Sequence, residues 1–343
     1  MKHFRFSIIF AIIALGAMAI WGQTKGQAIE ILTLTIILSF MEISFSFDNA
    51  VLNATILKHW DKYWQTIFLT VGMIIAVFGM RLLFPIIIVS KTADMGLLES
   101  WNLALSDPLA YSEKLSMHHA EISAFGGVFL LLVFLNFLLD ENKEIHWLSY
   151  IEKQISRLGK VDAISILITL IIVMFLISFI DDNSEKLSVL MASIWGIVTY
   201  LGVKFIGIAL EYYQGIDSKD TLNAIAKGGF GSFLYLEVLD ALFSFDGVIG
   251  SFAITKDIIV IMVGLGIGAF FVRSMTIYLV ENETLDDYIY LEHGAHYAIG
   301  ALALIMLVSI VGLEIPEVIT GLIGIFFILI ALYSSIKEKK RFF

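Results

Sequence analysis

Long apolar stretches separated by short polar segments dominate this 343-residue chain. A membrane-spanning helix needs about 20 mostly apolar residues, and the stretches of suitable length lie at residues 6–22, 29–57, 65–90, 119–139, 163–181, 187–210, 229–254, 258–281, 293–313 and 315–336. The pattern predicts an all-α integral membrane protein with about ten transmembrane helices in contact with the lipid bilayer. All of residues 1–343 would form a single transmembrane domain. The second stretch exceeds a simple span, so we expect it to tilt, break or extend past the membrane.

Composition agrees with the pattern and removes several classes of function. Hydrophobic residues make up 59% of the chain and charged residues 16%, with a mean hydropathy of +0.88. The formal net charge of −10 argues against a nucleic-acid partner, which needs a basic surface. Cysteine is absent, which excludes disulfides, thiolate metal sites and cysteine nucleophiles. Any metal must therefore be held by oxygen and nitrogen ligands.

The ends of the spans predict a topology. The first stretch follows Lys2 and Arg5 and contains Ala17-Met18-Ala19, a pattern that also fits a cleaved signal peptide. We favour an uncleaved first helix, because the apolar run continues through Ile20 and Trp21. With the N-terminus inside, inner segments hold fourteen of the 22 lysines and arginines and outer loops hold five. This asymmetry predicts that both termini are cytoplasmic.

The chain repeats itself internally. The segment Phe45–Asn49 in the second predicted span matches Phe243–Gly247 in the seventh, and Glu42 aligns with Asp240. In the following spans Gly72 precedes Arg81 by nine residues, as Gly264 precedes Arg273. The matching spans are five apart and would cross the membrane in opposite directions. The sequence thus predicts a five-plus-five inverted repeat, with halves 1–181 and 187–336, an architecture typical of secondary transporters.

The repeated positions carry acidic residues, which are costly inside a membrane. On an ideal helix Glu42, Ser46, Asn49 and Asn53 share one face. Glu237, Asp240, Ser244, Gly247 and Ser251 form the equivalent face of the seventh span. Lipid would not tolerate either face, so both should contact protein or water. Oxygen ligands of this kind suit Mn²⁺, Mg²⁺ or Ca²⁺.

Asp48 and Asp246 lie off these two faces and leave two interpretations open. In a regular helix, each aspartate would point toward a different neighbouring helix. Alternatively, the helices break at the Asp48-Asn49 and Asp246-Gly247 dipeptides, which are turn signals, and each aspartate caps the half-helix that follows. The predicted metal ligands are Glu42, Asp48, Asn49, Asn53, Glu237, Asp240, Ser244 and Asp246. Arg81 and Arg273 would act as counter-ions.

At these motifs the chain resembles the TerC family of bacterial integral membrane proteins. The resemblance rests on Glu42 with Ser46-Phe47-Asp48-Asn49, on Glu237 and Asp240 with Asp246-Gly247 and Ala253-Ile254-Thr255, and on the downstream Arg273, Tyr290-Leu291 and Gly294-Ala295. It covers about residues 30–90 and 230–312. The chain departs from the family pattern at Gly247, where the family favours serine, at Val248, and in its long linker between the halves.

The resemblance implies a bacterial inner-membrane protein related to tellurium resistance and manganese export. We therefore expect a secondary transporter that exports a divalent cation, with Mn²⁺ favoured, and exchanges it for protons through the same carboxylates. The metal would be the transported substrate, with no tightly bound cofactor. An alternative is a membrane scaffold or accessory protein for metal homeostasis or tellurite resistance. Hydrolase and phosphate-binding motifs are absent, so we do not expect an enzyme. The oligomeric state, including a homo-oligomer, stays open.

Overall fold

The computed structural model describes residues 3–92, 95–140, 143, 145–156, 159, 163–213, 228–281, 288–313 and 315–342. Some side chains within helices, including those of Phe245 and Asp246, lie outside this description. The described chain is helical, without β-strands. Its α-helices are α1 (Arg5–Lys25), α2 (Ala28–Phe45), α3 (Phe47–Leu57), α4 (Lys62–Ile67), α5 (Phe84–Thr92), α6 (Leu97–Ser106), α7 (Pro108–Ser116), α8 (His119–Leu139), α9 (Ser149–Ile155), α10 (Ile164–Ile177), α11 (Asn183–Tyr213), α12 (Phe230–Ile254), α13 (Ile258–Glu281), α14 (Leu291–Ser309) and α15 (Glu317–Phe342).

Each predicted span coincides with helical structure, which confirms the all-α fold and its multi-pass membrane character. Within the described residues, eight helical stretches are long and apolar enough to cross a membrane. The predicted span at 163–181 is the shorter apolar helix α10. The span at 229–254 is α12, a helix of 25 residues that carries Glu237, Asp240 and Asp246. The inverted orientation of the two halves stays a prediction.

Two predicted spans depart from regular α-helix. The second span is divided at Ser46, where the backbone has φ −94° and ψ 17° between α2 and α3. The third span joins α4 to α5 through two π-helical segments, Phe68–Gly72 and Ile75–Leu83. Such wider turns are rare and occur frequently at functional sites. By contrast, α12 is one continuous helix through Asp246 and Gly247.

The helices divide into two compact units, and each unit takes residues from both halves of the chain. The first unit contains Met1–His118 and Phe233–Asn282. In it, α13 packs against α1, α2, α3 and the second π-helical segment, while α5, α6 and α7 pack together. Small residues permit the close approach of α13 to α2, because a Cβ at Gly264 would lie 2.7 Å from Leu38 Cβ. This unit contains all the residues predicted to bind metal.

The second unit contains His119–Ser232 and Glu283–Phe343. Its central helix is α8, which packs against α10, α11 and α14, and α14 also packs against α15. Glycines again permit close contact, since a Cβ at Gly294 would lie 2.6 Å from Ala331 Cβ on α15. The carbonyl of Phe125 on α8 would be equally close to a Cβ at Gly196 on α11.

Candidate cation-binding site

Glu42, near the end of α2, is held by a buried arginine. Its side chain is 2% exposed, and Arg81 Nη2 donates to its Oε1 at 2.5 Å. The hydroxyl of Ser46, one turn later, donates to the same oxygen at 2.9 Å. Arg81 also donates to the carbonyl of Ala76 in the second π-helical segment, at 2.8 Å. Because a buried charge needs such compensation, Arg81 acts as the counter-ion of Glu42.

Asp240 on α12 receives amide groups from α3. Asn49 Nδ2 donates to Asp240 Oδ1 at 2.6 Å, and Asn53 Nδ2 lies 3.4 Å from the same oxygen. The predicted acidic face of the second span therefore contacts that of the seventh. The two asparagine Oδ1 atoms are buried and accept no hydrogen bond in the described part of the chain. Two amide oxygens are thus available beside the carboxylate.

Glu237 lies one turn before Asp240 and has no hydrogen-bond donor in the described part of the chain. The residue is 6% exposed, and both carboxylate oxygens are buried without a partner among the described residues. A Cβ added at Gly72 would lie 2.1 Å from Glu237 Oε1 and 2.9 Å from Arg273 Nη2. Arg273 itself donates to the carbonyl of Phe68 and stacks over the Phe68 ring, with 4.0 Å to the centroid. Gly72 thus provides the space in which this acid and this base approach each other.

The remaining predicted ligands are placed differently. Asp48 is in the first turn of α3, is buried, and accepts a hydrogen bond from the backbone N–H of Asn49 at 2.9 Å. The hydroxyl of Ser244 on α12 is buried and has no partner in the described chain. The backbone of Asp246 is within α12, but its side chain lies outside the described residues. The predicted break at Asp48-Asn49 is found two residues earlier, at Ser46, and the predicted break at Asp246-Gly247 does not occur.

Matched positions of the sequence repeat make matched contacts. Gly72 and Gly264 are equivalent in the repeat, and both accept a side chain from an acidic helix. Glu237 lies against Gly72, and Ser39, three residues before Glu42, donates to the carbonyl of Gly264 at 3.0 Å. Ser39 and Glu237 are themselves equivalent, since each precedes its aligned acid, Glu42 or Asp240, by three residues. The repeat therefore reflects shared packing as well as shared residue types.

A small cavity lies among these residues. Its volume is about 20 Å³, on a scale where one water molecule needs about 10–15 Å³. The polar side chains that line it are Ser46, Asn49, Asn53, Arg81, Asp240 and Arg273. Met73, Ala76, Ala269, Val272 and Thr276 complete its wall. The space fits a single water molecule or a single ion that has lost most of its hydration shell.

The charges around this cavity do not cancel. The described side chains include four carboxylates, of Glu42, Asp48, Glu237 and Asp240, and two guanidinium groups, of Arg81 and Arg273. Fully ionised, these six side chains leave an excess of two negative charges. The wall of the cavity itself holds the Asp240 carboxylate and both guanidinium groups, and Arg81 is paired with Glu42. The carboxylates are not gathered at one point, because no three Asp, Glu or His side chains among the described residues form a metal-binding group. A cation here would need amide and hydroxyl oxygens together with Asp240.

A second buried acid, Glu152 on α9, was not singled out from the sequence. Its side chain is fully buried, lies 3.0 Å from Lys143 Nζ and 3.5 Å from His293 Nε2, and accepts from Tyr297 at 3.1 Å. The backbone N–H of Leu148 also donates to it, at 3.0 Å. Burial alone would raise the pKa of Glu152, but His293, the Leu148 N–H and Lys143 bring the pKa below its usual range. No sequence signal marked it, because its partners come from distant segments.

Comparison with known proteins defines the family of this chain without defining an activity. A family model matches residues 47–342, which is most of the chain. The chain belongs to this family, DUF475, which is described as a protein of unknown function. No curated protein and no solved structure matches the chain.

Proposed function

We propose that this protein is a secondary transporter that exports a divalent cation, with Mn²⁺ favoured, across the bacterial inner membrane. The observation that carries the proposal is a set of buried oxygen atoms on α3 and α12 for which the described residues supply no hydrogen-bond donor. They belong to Asn49, Asn53, Glu237 and Ser244. A buried polar atom left unpaired costs about 1–3 kcal/mol. A cation in the cavity would pair with the oxygens of Asn49 and Asn53, which line it.

Charge and ligand type support a divalent ion. The four carboxylates of Glu42, Asp48, Glu237 and Asp240 outnumber the guanidinium groups of Arg81 and Arg273 by two when all are ionised, and one divalent cation would neutralise this excess. Carboxylate, amide and hydroxyl oxygens are the ligands that Mn²⁺, Mg²⁺ and Ca²⁺ prefer, and cysteine is absent from the chain. The predicted inverted repeat would supply alternating access. Within this proposal Asp48 and Asp246 remain predicted ligands, both termini are cytoplasmic, and protons return as the metal leaves.

Transport can be tested in liposomes that contain the purified chain. We expect Mn²⁺ flux that depends on a pH gradient and is lost in Glu42→Gln and Asp240→Asn. The matched control is Glu30→Gln, because Glu30 is an exposed carboxylate on the same helix as Glu42. Thermal unfolding in detergent would show that each variant is folded.

Two results would contradict the proposal. One is unchanged Mn²⁺ flux in both Glu42→Gln and Asp240→Asn, which would remove the site from the transport path. The other is the absence of Mn²⁺, Mg²⁺ and Ca²⁺ flux under every gradient. That result would favour the alternative of a scaffold or accessory protein, in which the buried acids are structural.

A further inference from the structure

The helix α6 exposes large apolar side chains. Together with α7 it forms a hairpin between the candidate spans at Lys62–Ser90 and His119–Leu139. Leu98 is 78% exposed and Leu105 is 44% exposed, although Ser100 and Ala104 on the same helix are completely buried. This arrangement is the reverse of a helix on a water-soluble protein, which buries its leucines. Some apolar environment must therefore surround the outer face of α6.

The residues of α6 separate into three sectors around its axis. With about 100° per residue and Ser100 at zero, Ala104 falls at about 40°, Leu97, Trp101, Leu105 and Leu98 at about 60–160°, and Asn102, Ser106 and Glu99 at about 200–260°. The half-buried Leu103 falls at about 300°, between the polar residues and Ser100. The first sector is buried in the protein. The second contains only apolar and aromatic side chains, and the third contains only polar ones.

We propose that α6 lies in the plane of the membrane interface, with Leu97, Leu98, Trp101 and Leu105 inserted among the lipid acyl chains. A helix in this position meets protein, lipid and water on three sides, as the three sectors of α6 require. Tryptophan favours this depth because its ring is apolar and its N–H is polar. A helix exposed to water on all of its free surface would not confine its polar residues to one sector.

The surroundings of α6 determine that the occupant is lipid. The hairpin connects two apolar spans, so both of its ends lie where those spans leave the bilayer. Both α6 and α7 also pack against α5, the last part of the preceding span. On α5, Ile87 is 42% exposed, so the helix of the candidate span and the neighbouring α6 both expose apolar side chains. This inference does not depend on the proposed transport function.

The hairpin also touches the helix that carries Glu237 and Asp240. Tyr111 on α7 is completely buried, and its ring centroid lies 6.0 Å from that of Phe252, near the C-terminal end of α12. Insertion of α6 into lipid would therefore fix the position of this end of α12.

The absence of cysteine from the chain makes the test direct. Single-cysteine variants of the full-length protein would be made at Leu98→Cys and Leu105→Cys in the apolar sector, with Asn102→Cys and Ser106→Cys as matched controls in the polar sector. Each would be reconstituted in liposomes and spin-labelled. Collision with oxygen, which concentrates in lipid, would be compared with collision with a water-soluble nickel chelate.

We expect labels at Leu98 and Leu105 to collide with oxygen and to be shielded from nickel, and the two control labels to show the reverse. Reaction of the unlabelled thiols with a water-soluble maleimide gives an independent measure. Lipid disfavours the reactive thiolate, so positions 98 and 105 should react about tenfold more slowly than the controls. Equal access of nickel to all four labels would overturn the proposal, because the helix would then lie in water. Shielding of 98 and 105 from both reagents would also overturn it, in favour of a covering protein or second copy.

Discussion

Replacement of Gly72 by alanine tests the geometry of the candidate site most directly. The added Cβ would lie 2.1 Å from Glu237 Oε1 and 2.9 Å from Arg273 Nη2. Non-bonded heavy atoms prefer about 3.5–4.0 Å, so the carboxylate must move by more than about 1 Å. Overpacking of this kind costs about 1–3 kcal/mol. The better helix propensity of alanine returns at most about 1 kcal/mol. We expect a net loss of stability of about 1–2 kcal/mol and impaired Mn²⁺ flux.

The chain offers a matched control for this substitution. Gly79 belongs to the same interrupted helix, but a Cβ there would meet only Ile75 Cγ2, at an ordinary distance of 3.6 Å. Gly79→Ala should therefore unfold at the temperature of the wild type or slightly above it, because alanine has the better helix propensity, and should retain its flux. Thermal unfolding in detergent and Mn²⁺ flux in liposomes would be measured for both variants. If Gly72→Ala behaved like Gly79→Ala in both assays, Glu237 would not be held against Gly72, and our description of the site would be wrong.

Three further predictions concern stability. Arg81→Gln leaves the Glu42 carboxylate buried without its partner and should lower the free energy of unfolding by about 3–5 kcal/mol. The double variant with Glu42→Gln should lose less stability than the two single variants added together. Additive losses in a double-mutant cycle, measured by unfolding in detergent, would contradict the pairing. Contacts in the folded protein depress the pKa of Glu152, so its contribution to the free energy of unfolding is complete above the unfolded pKa, about 4.3–4.5, and is lost as pH falls below that value. The stability difference between wild type and Glu152→Gln should therefore shrink between about pH 5 and pH 3. A difference that stayed constant over this range would exclude this linkage. Tyr111→Phe removes a buried hydroxyl without a partner in the described chain and should raise stability by about 1 kcal/mol; clear destabilisation on thermal unfolding would reveal a partner for the hydroxyl.

The helices could be predicted from hydrophobic length alone, but their interruptions could not. Asp48-Asn49 and Asp246-Gly247 are turn signals in isolation. In the structure the Asn49 side chain bonds to Asp240 on another helix, and α12 continues unbroken through Gly247. A Cβ at Gly247 would lie 3.1 Å from Glu42 Oε2. The glycine therefore provides space for a neighbouring acid, a tertiary requirement that local sequence does not show.

The acidic residues could be predicted from their repetition, but their individual partners could not. The sequence predicted Arg81 as a counter-ion without identifying its acid, and the structure pairs Arg81 with Glu42. The π-helical segments left no mark in the apolar pattern of residues 65–90. Their carbonyls at Phe68 and Ala76 are the ones that Arg273 and Arg81 bond. The environment of Glu152 was equally hidden, because Lys143, His293 and Tyr297 are assembled only by folding.

The two buried arginines differ in a way that bears on function. Both donate to a backbone carbonyl, but Arg81 also donates to the Glu42 carboxylate, whereas Arg273 donates to no carboxylate among the described residues. Glu237 consequently has no hydrogen-bond donor, and Asp240 has only amide partners among the described residues. Replacing a buried ion pair by well-packed hydrophobic groups is often neutral or stabilising. Apolar side chains at these positions would therefore give stability equal to or greater than that of the buried acids and arginines. Acids that are buried but incompletely compensated are suited to a cation that must bind and then leave, because full pairing within the protein would compete with the ion.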